Sequence, residues 1–212
     1  KLNLLTVGGI PYAMGRFPNS NAPDKGYLYF ETVDTGTSTI TDNQLTASPN
    51  WIGGEIVLRT SHYTLDRSTI LSHTGSSVSY TRPAYYWYML PGFGYFIQNH
   101  PQTLDNFGEW YFDPSSKRIR FYSDGRNPAT LGVAVSVRDF LLSISGYNNI
   151  KIEKLAFEGA NQKAIQLNSL STISITNCQI DLSGKNAIEA SNVSYFSMED
   201  CRIYRSQSNA VS

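Results

Sequence analysis

The sequence has little of what several functional classes require. Only two cysteines occur in 212 residues, Cys178 and Cys201. Two thiols provide neither a disulfide framework nor zinc-ligand spacing. The three histidines, His62, His73 and His100, fall in no HExxH-like pattern, which argues against a metal site built on His or Cys. Charge is scarce and balanced: 17 basic and 17 acidic residues give a formal net charge of zero, and charged residues make up 16% of the chain. Nucleic-acid binders and proteins tuned to anionic membranes carry a basic excess, so neither partner is expected. No apolar run approaches the ~20 residues that span a bilayer, so membrane insertion is not expected. The opening residues KLNLLTVGGIPYAMG lack the charged, apolar and small-residue succession of a signal peptide. A mature or trimmed chain has the same look, so this absence does not place the protein in the cytoplasm.

What the chain does have is aromatic and uncharged polar residues, with 14 tyrosines and 13% aromatics. Surfaces rich in Tyr, Ser, Thr and Asn suit contacts with sugars, and they are equally the look of β-rich proteins.

From about Leu141 onward, apolar residues recur at steps of about 23 positions. The columns are Leu142, Ile165, Ile188 and Val211; Ile150, Ile173 and Phe196; Ile152, Ile175 and Met198; Leu155, Cys178 and Cys201; and Phe157, Ile180 and Ile203. Within each step the apolar positions alternate, as in strands, and then slip phase once at Lys154, Asn177 and Asp200. A slip between two strands predicts a sharp bend, which Asn and Asp tolerate in left-handed backbone. Short strands stacked in this way predict a parallel β-solenoid with both thiols buried and unpaired, since side chains aimed in parallel are poorly placed for a disulfide. The chain stops at SNAVS, inside the next predicted strand, so it reads as a piece of something longer whose remainder is a partner.

Residues 1–130 show no such period. Strand-like runs punctuated by Gly, Pro, Asn and Ser alternate here, and EWYFDPSSKRIRFYS reads as a hairpin around Asp-Pro-Ser-Ser. The expected fold is therefore all-β, with an irregular β-rich module over 1–130 followed by parallel β-helix turns over 131–212.

The series GGIPYAMGRFPN, WIGGEIVLRTSHYTLDRSTI, YFIQNHPQTLDNFGEWYFDPSSKRIRFY and NNIKIEKLAFEGA resembles that of secreted bacterial right-handed parallel β-helix proteins of the pectate-lyase-like group. The pattern is nearest to β-helix glycoside hydrolases with a β-rich insertion, of the family 120 and 141 type. In those proteins a segment like ENxxxxLDxPGEWYxD precedes the main solenoid; here it reads QNHPQTLDNFGEWYFD, with Gln98 in place of the acid and Phe107 in place of the proline. The resemblance implies a secreted or cell-surface bacterial protein, a further turn before KLNLL, and catalytic carboxylates farther along the solenoid. The fold itself hosts lyases, hydrolases, epimerases and binding proteins.

Glycoside hydrolysis needs two facing carboxyl groups. In the expected solenoid the outward column Ser143, Gln166, Glu189 and Ser212 follows the variable turns, and by analogy with the pectate-lyase-like proteins it lines the substrate cleft. Glu189 is its candidate acid or base and Gln166 its sugar-binding neighbour; the alternative is a solvated glutamate on a rung. Glu158 and Asp181 stack in another outward column, where two like charges raise one pKa or recruit a cation such as calcium. A lyase would need a base, and Lys163 and Lys185 occupy the right turns.

The stretch from Tyr95 to Tyr122 reads chiefly as a brace, with Leu104, Gly108, Trp110 and Tyr111 packing a hairpin, Asp105 satisfying a turn and Asn99 bridging backbone groups. Glu109 and His100 are the residues there that would instead make it an active site. For substrate stacking and polar contacts the candidates are Tyr86 and Trp87 in YYWYMLPGFGYF, Arg16 and Asn19 in GRFPN, and Trp51. The expected function is that of a glycoside hydrolase on a polysaccharide. The alternatives are a polysaccharide lyase and a non-catalytic glycan-binding or adhesion protein.

Overall fold

The computed structural model describes residues 1–83 and 88–212. The chain is mostly β, and it divides into two compact units, Ala13–Gly125 and Lys1–Tyr12 with Arg126–Ser212.

Ala13–Gly125 is built on an eight-stranded antiparallel sheet. Its order runs Arg16–Phe17, Gly94–Gln98, Glu55–Arg59, Leu65–Thr74, Ser77–Tyr80, Thr39–Thr41 and Thr32–Asp34, and Leu28–Tyr29 also pairs with Gly94–Gln98. Alternation sets the faces. Ile56 pairs with Ile97 and Leu58 with Tyr95, and all four are fully buried with Phe30, Ile40 and Val78. A buried phenol needs a partner: Tyr95 Oη donates to Asp42 Oδ2 at 2.7 Å. Burial first, and then the Asp42 carboxylate, pushes the Tyr95 hydroxyl far up.

The expected hairpin forms from Trp110–Asp113 and Arg118–Phe121. Asp113 closes its turn by accepting from the Ser115 and Ser116 hydroxyls and amides, which hold its carboxyl well below the usual carboxylate range. Trp110 is fully buried and bridges to Met14, while Asn99 Oδ1 accepts from the Phe112 amide at 2.8 Å.

In the second unit, Leu5–Val7 and Ile10–Tyr12 form a hairpin across Gly8 and Gly9, whose φ values of 57° and 78° suit a two-residue loop with both central residues left-handed. Leu5–Val7 also pairs with Val133–Val135, so residues 1–12 belong to one compact unit with the C-terminal part.

The remaining strands stack in parallel. Leu142 pairs with Ile165 and Ile165 with Ile188; Ile150 with Ile173 and Ile173 with Phe196; Phe157 with Ile180 and Ile180 with Ile203. Each turn of the stack turns three corners in left-handed backbone: Gly146, Ser169 and Asn192 (φ 76°, 53°, 55°), Lys154, Asn177 and Asp200 (57°, 52°, 52°), and Gly159, Leu182 and Arg205 (80°, 56°, 43°). A single left-handed residue between extended segments reverses the pleat and redirects the chain. Ile165, Leu167, Ile175, Ile180 and Ile188 are fully buried between the strands, each contributing about 2 kcal/mol of transfer free energy.

In the column Leu155, Cys178 and Cys201 the two thiols meet the apolar core as expected, Cys178 inside it and Cys201 packed against it, and Leu155 departs from its expected place in a dry interior. Cys178 is buried and Cys201 half-buried, both as free thiols, whereas Leu155 is 50% exposed. The column stands beside the Lys154–Asn177–Asp200 corner and lines a polar groove with those residues. The Cys178 amide donates to the Cys201 sulfur at 3.4 Å.

Glu158 and Asp181 do pair on adjacent strands. The cation at Asp181 is a guanidinium from the following turn: Arg205 Nε and Nη2 donate to the two oxygens of Asp181 at 2.9 and 2.5 Å. This leaves the expected calcium column without two available carboxylates, and among the described residues no group of three or more His, Cys, Asp or Glu side chains could hold a metal ion. Arg205 holds the Asp181 carboxyl below its ordinary range, so the pair adds stability above an unfolded aspartate's pKa of ~3.9 and loses it as pH falls through the native value. Asp181→Asn is therefore expected to lower the thermal midpoint at neutral pH, with the difference from wild type closing in acid; a pH series of melting curves checks this.

Candidate functional site

The outward ladder predicted from the sequence is present. Gln166 pairs with Glu189 on the neighbouring strand. Glu189 does not stand free: Lys163 Nζ donates to its Oε1, and Asn186 Nδ2 donates to its Oε2 at 3.1 Å. Asn186 is held in turn by Ser212 Oγ at 2.9 Å and by the Asn209 amide at 3.3 Å. Both partners of the ion pair are largely screened from solvent, with side chains 17% and 31% exposed. The solvated-rung alternative therefore does not describe Glu189. It is an oriented carboxylate with an ammonium beside it, and Lys163, named as a base for elimination, is that ammonium. Asn186 was missed; its signal is a turn amide three residues before the glutamate, where side chains of one loop meet.

In Ala13–Gly125, Glu109 Oε2 accepts from the Asp105 and Asn106 amides, both at 2.9 Å, and so closes the turn that begins the hairpin. Burial raises the Glu109 carboxyl above the usual range against the pull of those two amides, and the Asp105 carboxylate adds to the rise. Asn19 Nδ2 donates to Asp105 Oδ1 at 2.9 Å, so Asn19, Asp105 and Glu109 come together. The arrangement supplies two neighbouring carboxyl groups, one half-buried and one exposed, which is acid–base chemistry in form.

The other expected contact residues among those described are each held within their own unit. Arg16 lies over the Phe96 ring, 3.7 Å from its centroid, and donates to the Pro18 and Gly26 carbonyls, so its guanidinium is held within the unit by the ring face and two backbone bonds. Burial lowers its pKa. His100 is buried edge-on to Trp51 at 5.3 Å, and its Nδ1 accepts from the Gln102 amide, capping the turn Pro101–Thr103. Burial lowers the His100 pKa, which favours the neutral ring. Trp51 is itself 1% exposed and unavailable for stacking on a ligand. Tyr86 and Trp87 lie outside the described residues.

Residues that the sequence did not single out line a cleft of about 350 Å³ in the same unit: Tyr27, Tyr29, Arg59, His62 and Tyr63, around Gly94. No helix among the described residues is long and apolar enough to cross a membrane.

Together these features define an all-β protein with an antiparallel module and a stack of parallel strands carrying polar ladders. The fold is similar to that of a solved structure titled "Glycoside hydrolase", at 13% identity with a TM-score of 0.68. The match covers 90% of this chain and 48% of that one, so the chain spans about half the length of the structure it matches. At that identity the likeness is one of fold. No family model matches the sequence, and no curated protein matches it.

Proposed function

We propose that the chain belongs to a secreted bacterial carbohydrate-active protein built on a right-handed parallel β-helix, and that the protein acts on a polysaccharide as a glycoside hydrolase. The observation that carries this reading is the likeness of fold, over nearly the whole chain, to a glycoside hydrolase. Parallel pairing at a constant offset with three corners per turn supports the β-helix. In this reading the polysaccharide follows the ladder of Gln166 and Glu189. Glu189 is the acid or base, oriented by Lys163 and Asn186, and Gln166 bonds a sugar hydroxyl. Glu109 with Asp105 is the alternative carboxyl pair.

General acid–base groups contribute about 100- to 10,000-fold to rate. Glu189→Gln is expected to reduce release of reducing ends from the cleaved polysaccharide by at least about 100-fold, while binding of the polymer persists. Full activity in Glu189→Gln together with loss in Glu109→Gln would move the site to the hairpin; full activity in both would reject both residues.

The second reading is a non-catalytic glycan binder. It is favoured by one observation: the side chains that reach the Glu189 carboxylate are an ammonium and an amide, whereas hydrolysis calls for a second carboxyl about 5–9.5 Å away. Binding without any released product would establish it.

A further inference from the structure

The cleft at Gly94 has a definite construction. On one face of the antiparallel sheet Leu65 pairs with Arg59, and Gly94 pairs with Tyr29. The register that pairs Tyr95 with Leu58 sets Gly94 beside Arg59. A row across four strands therefore reads Leu65, Arg59, Gly94, Tyr29, and the glycine leaves a gap between the guanidinium and the phenol. A Cβ at Gly94 would lie 3.1 Å from Tyr27 Cδ1, so the missing side chain also makes room for the Tyr27 ring. Tyr29 is 42% and Tyr63 99% exposed, so their rings are open to a ligand.

Arg59 is positioned but not neutralised. Its Nε and Nη2 donate to the Ser61 and His62 carbonyls at 3.3 and 2.8 Å, and its Cζ lies 5.3 Å from the centroid of the Phe93 ring, on whose edge His62 also packs. These contacts leave three of the five guanidinium N–H donors for a ligand. The nearest acid along the paired strand, Asp66, lies opposite Leu58 and accepts from Thr60 Oγ1 at 2.7 Å, on the other face of the sheet. Among the described residues no carboxylate forms an ion pair with Arg59.

Tyrosine rings suit the apolar C–H faces of a pyranose, and a fixed, unpaired guanidinium suits a planar carboxylate. A neutral sugar would fill the cleft and leave the charge unanswered. We propose that this cleft binds one uronic-acid residue of an acidic polysaccharide, with its ring against Tyr27, Tyr29 and Tyr63 and its carboxylate on Arg59. The proposal rests on the carbohydrate reading above and narrows its substrate class.

The test is calorimetric titration of the full chain with alginate oligosaccharides and with the same oligosaccharides after reduction of their carboxyl groups. The acidic ligand is expected to bind about tenfold or more tightly than its reduced form, as for the loss of one charge-assisted hydrogen bond. Arg59→Met should abolish that difference, and Tyr63→Ala should weaken both ligands. Both side chains are exposed, and unchanged melting curves would show that the variants fold. Equal affinity for the two forms, or an Arg59→Met variant that keeps the preference, overturns the proposal. If neutral polysaccharides are bound or cleaved while that preference is absent, the carbohydrate reading stands without it. If no polysaccharide of either kind binds, both fail.

Discussion

Replacing Trp51 with alanine is expected to lower the unfolding free energy by about 3–5 kcal/mol, the range for removing a buried tryptophan. The indole is 1% exposed, stacks on Phe17 at 5.0 Å between centroids and meets the edge of His100 at 5.3 Å. Its loss opens a void beside the Pro101–Thr103 turn that the Phe17 and His100 rings cannot close without leaving their rotamers. The Trp51 amide donates to His73 Nδ1 at 3.3 Å, so the backbone there is also tied to a buried imidazole and is slow to collapse into the space. Chemical denaturation checks the value, with Trp51→Phe as a milder comparison. A loss below about 1 kcal/mol in the alanine variant would place the indole outside the core.

The second large effect belongs to Asn161. Its Oδ1 accepts from the Asn3 amide at 2.8 Å, and its Nδ2 donates to the Lys1 carbonyl at 2.9 Å and to Asp139 Oδ1 at 2.6 Å. Its own carbonyl accepts from Asn3 Nδ2 at 3.0 Å. One side chain, 2% exposed, thus ties the first residues to the parallel stack. Asn161→Ala removes three of these bonds, deprives a buried amide of this acceptor, and releases the Asp139 carboxyl from the contact that chiefly holds it low. A buried group that loses its partner costs about 1–3 kcal/mol, so the expected total is about 3 kcal/mol. The denaturation midpoint should fall with the slope unchanged. Hydrogen exchange should show the strand Leu5–Val7 losing protection first. A midpoint within error of wild type would mean that the N-terminal residues are not held there.

The parallel stack was legible because an inward position must be apolar on every turn, and Ile150, Ile173 and Phe196 obey that rule without a gap. The corner at Lys154, Asn177 and Asp200 was legible because an extra residue there shifts the alternation. The other two corners were not. Ser169 bends inside what reads as one strand, and Leu182 adopts φ 56° although leucine carries no propensity for it. Its burial at 3% supplies the packing that offsets the strain. The return of Leu5–Val7 to Val133–Val135 was equally hidden, since no local pattern names a distant partner.

The same contrast holds for the sites. That Gln166 and Glu189 are neighbours followed from the repeat, and the constant offset between strands fixes it. That Lys163 reaches Glu189 did not follow, because a long flexible side chain has no register. Arg16, Asn19 and His100 stand out by chemistry alone, and the local bonds that hold them, to Pro18, Asp105 and Gln102, have no signature in the sequence. The cleft residues escaped because Arg59, Gly94 and Tyr29 become neighbours only through antiparallel registers between distant strands.

The proposed hydrolysis of a polysaccharide is tested most directly by the origin of the oxygen in the product. The protein is incubated with a panel of neutral and acidic polysaccharides in water enriched in heavy oxygen, and the released oligosaccharides are weighed by mass spectrometry. Hydrolysis predicts saturated products carrying one solvent-derived oxygen. Unsaturated products without that label would contradict it in favour of a lyase, and binding without any product would contradict it in favour of a glycan-binding protein.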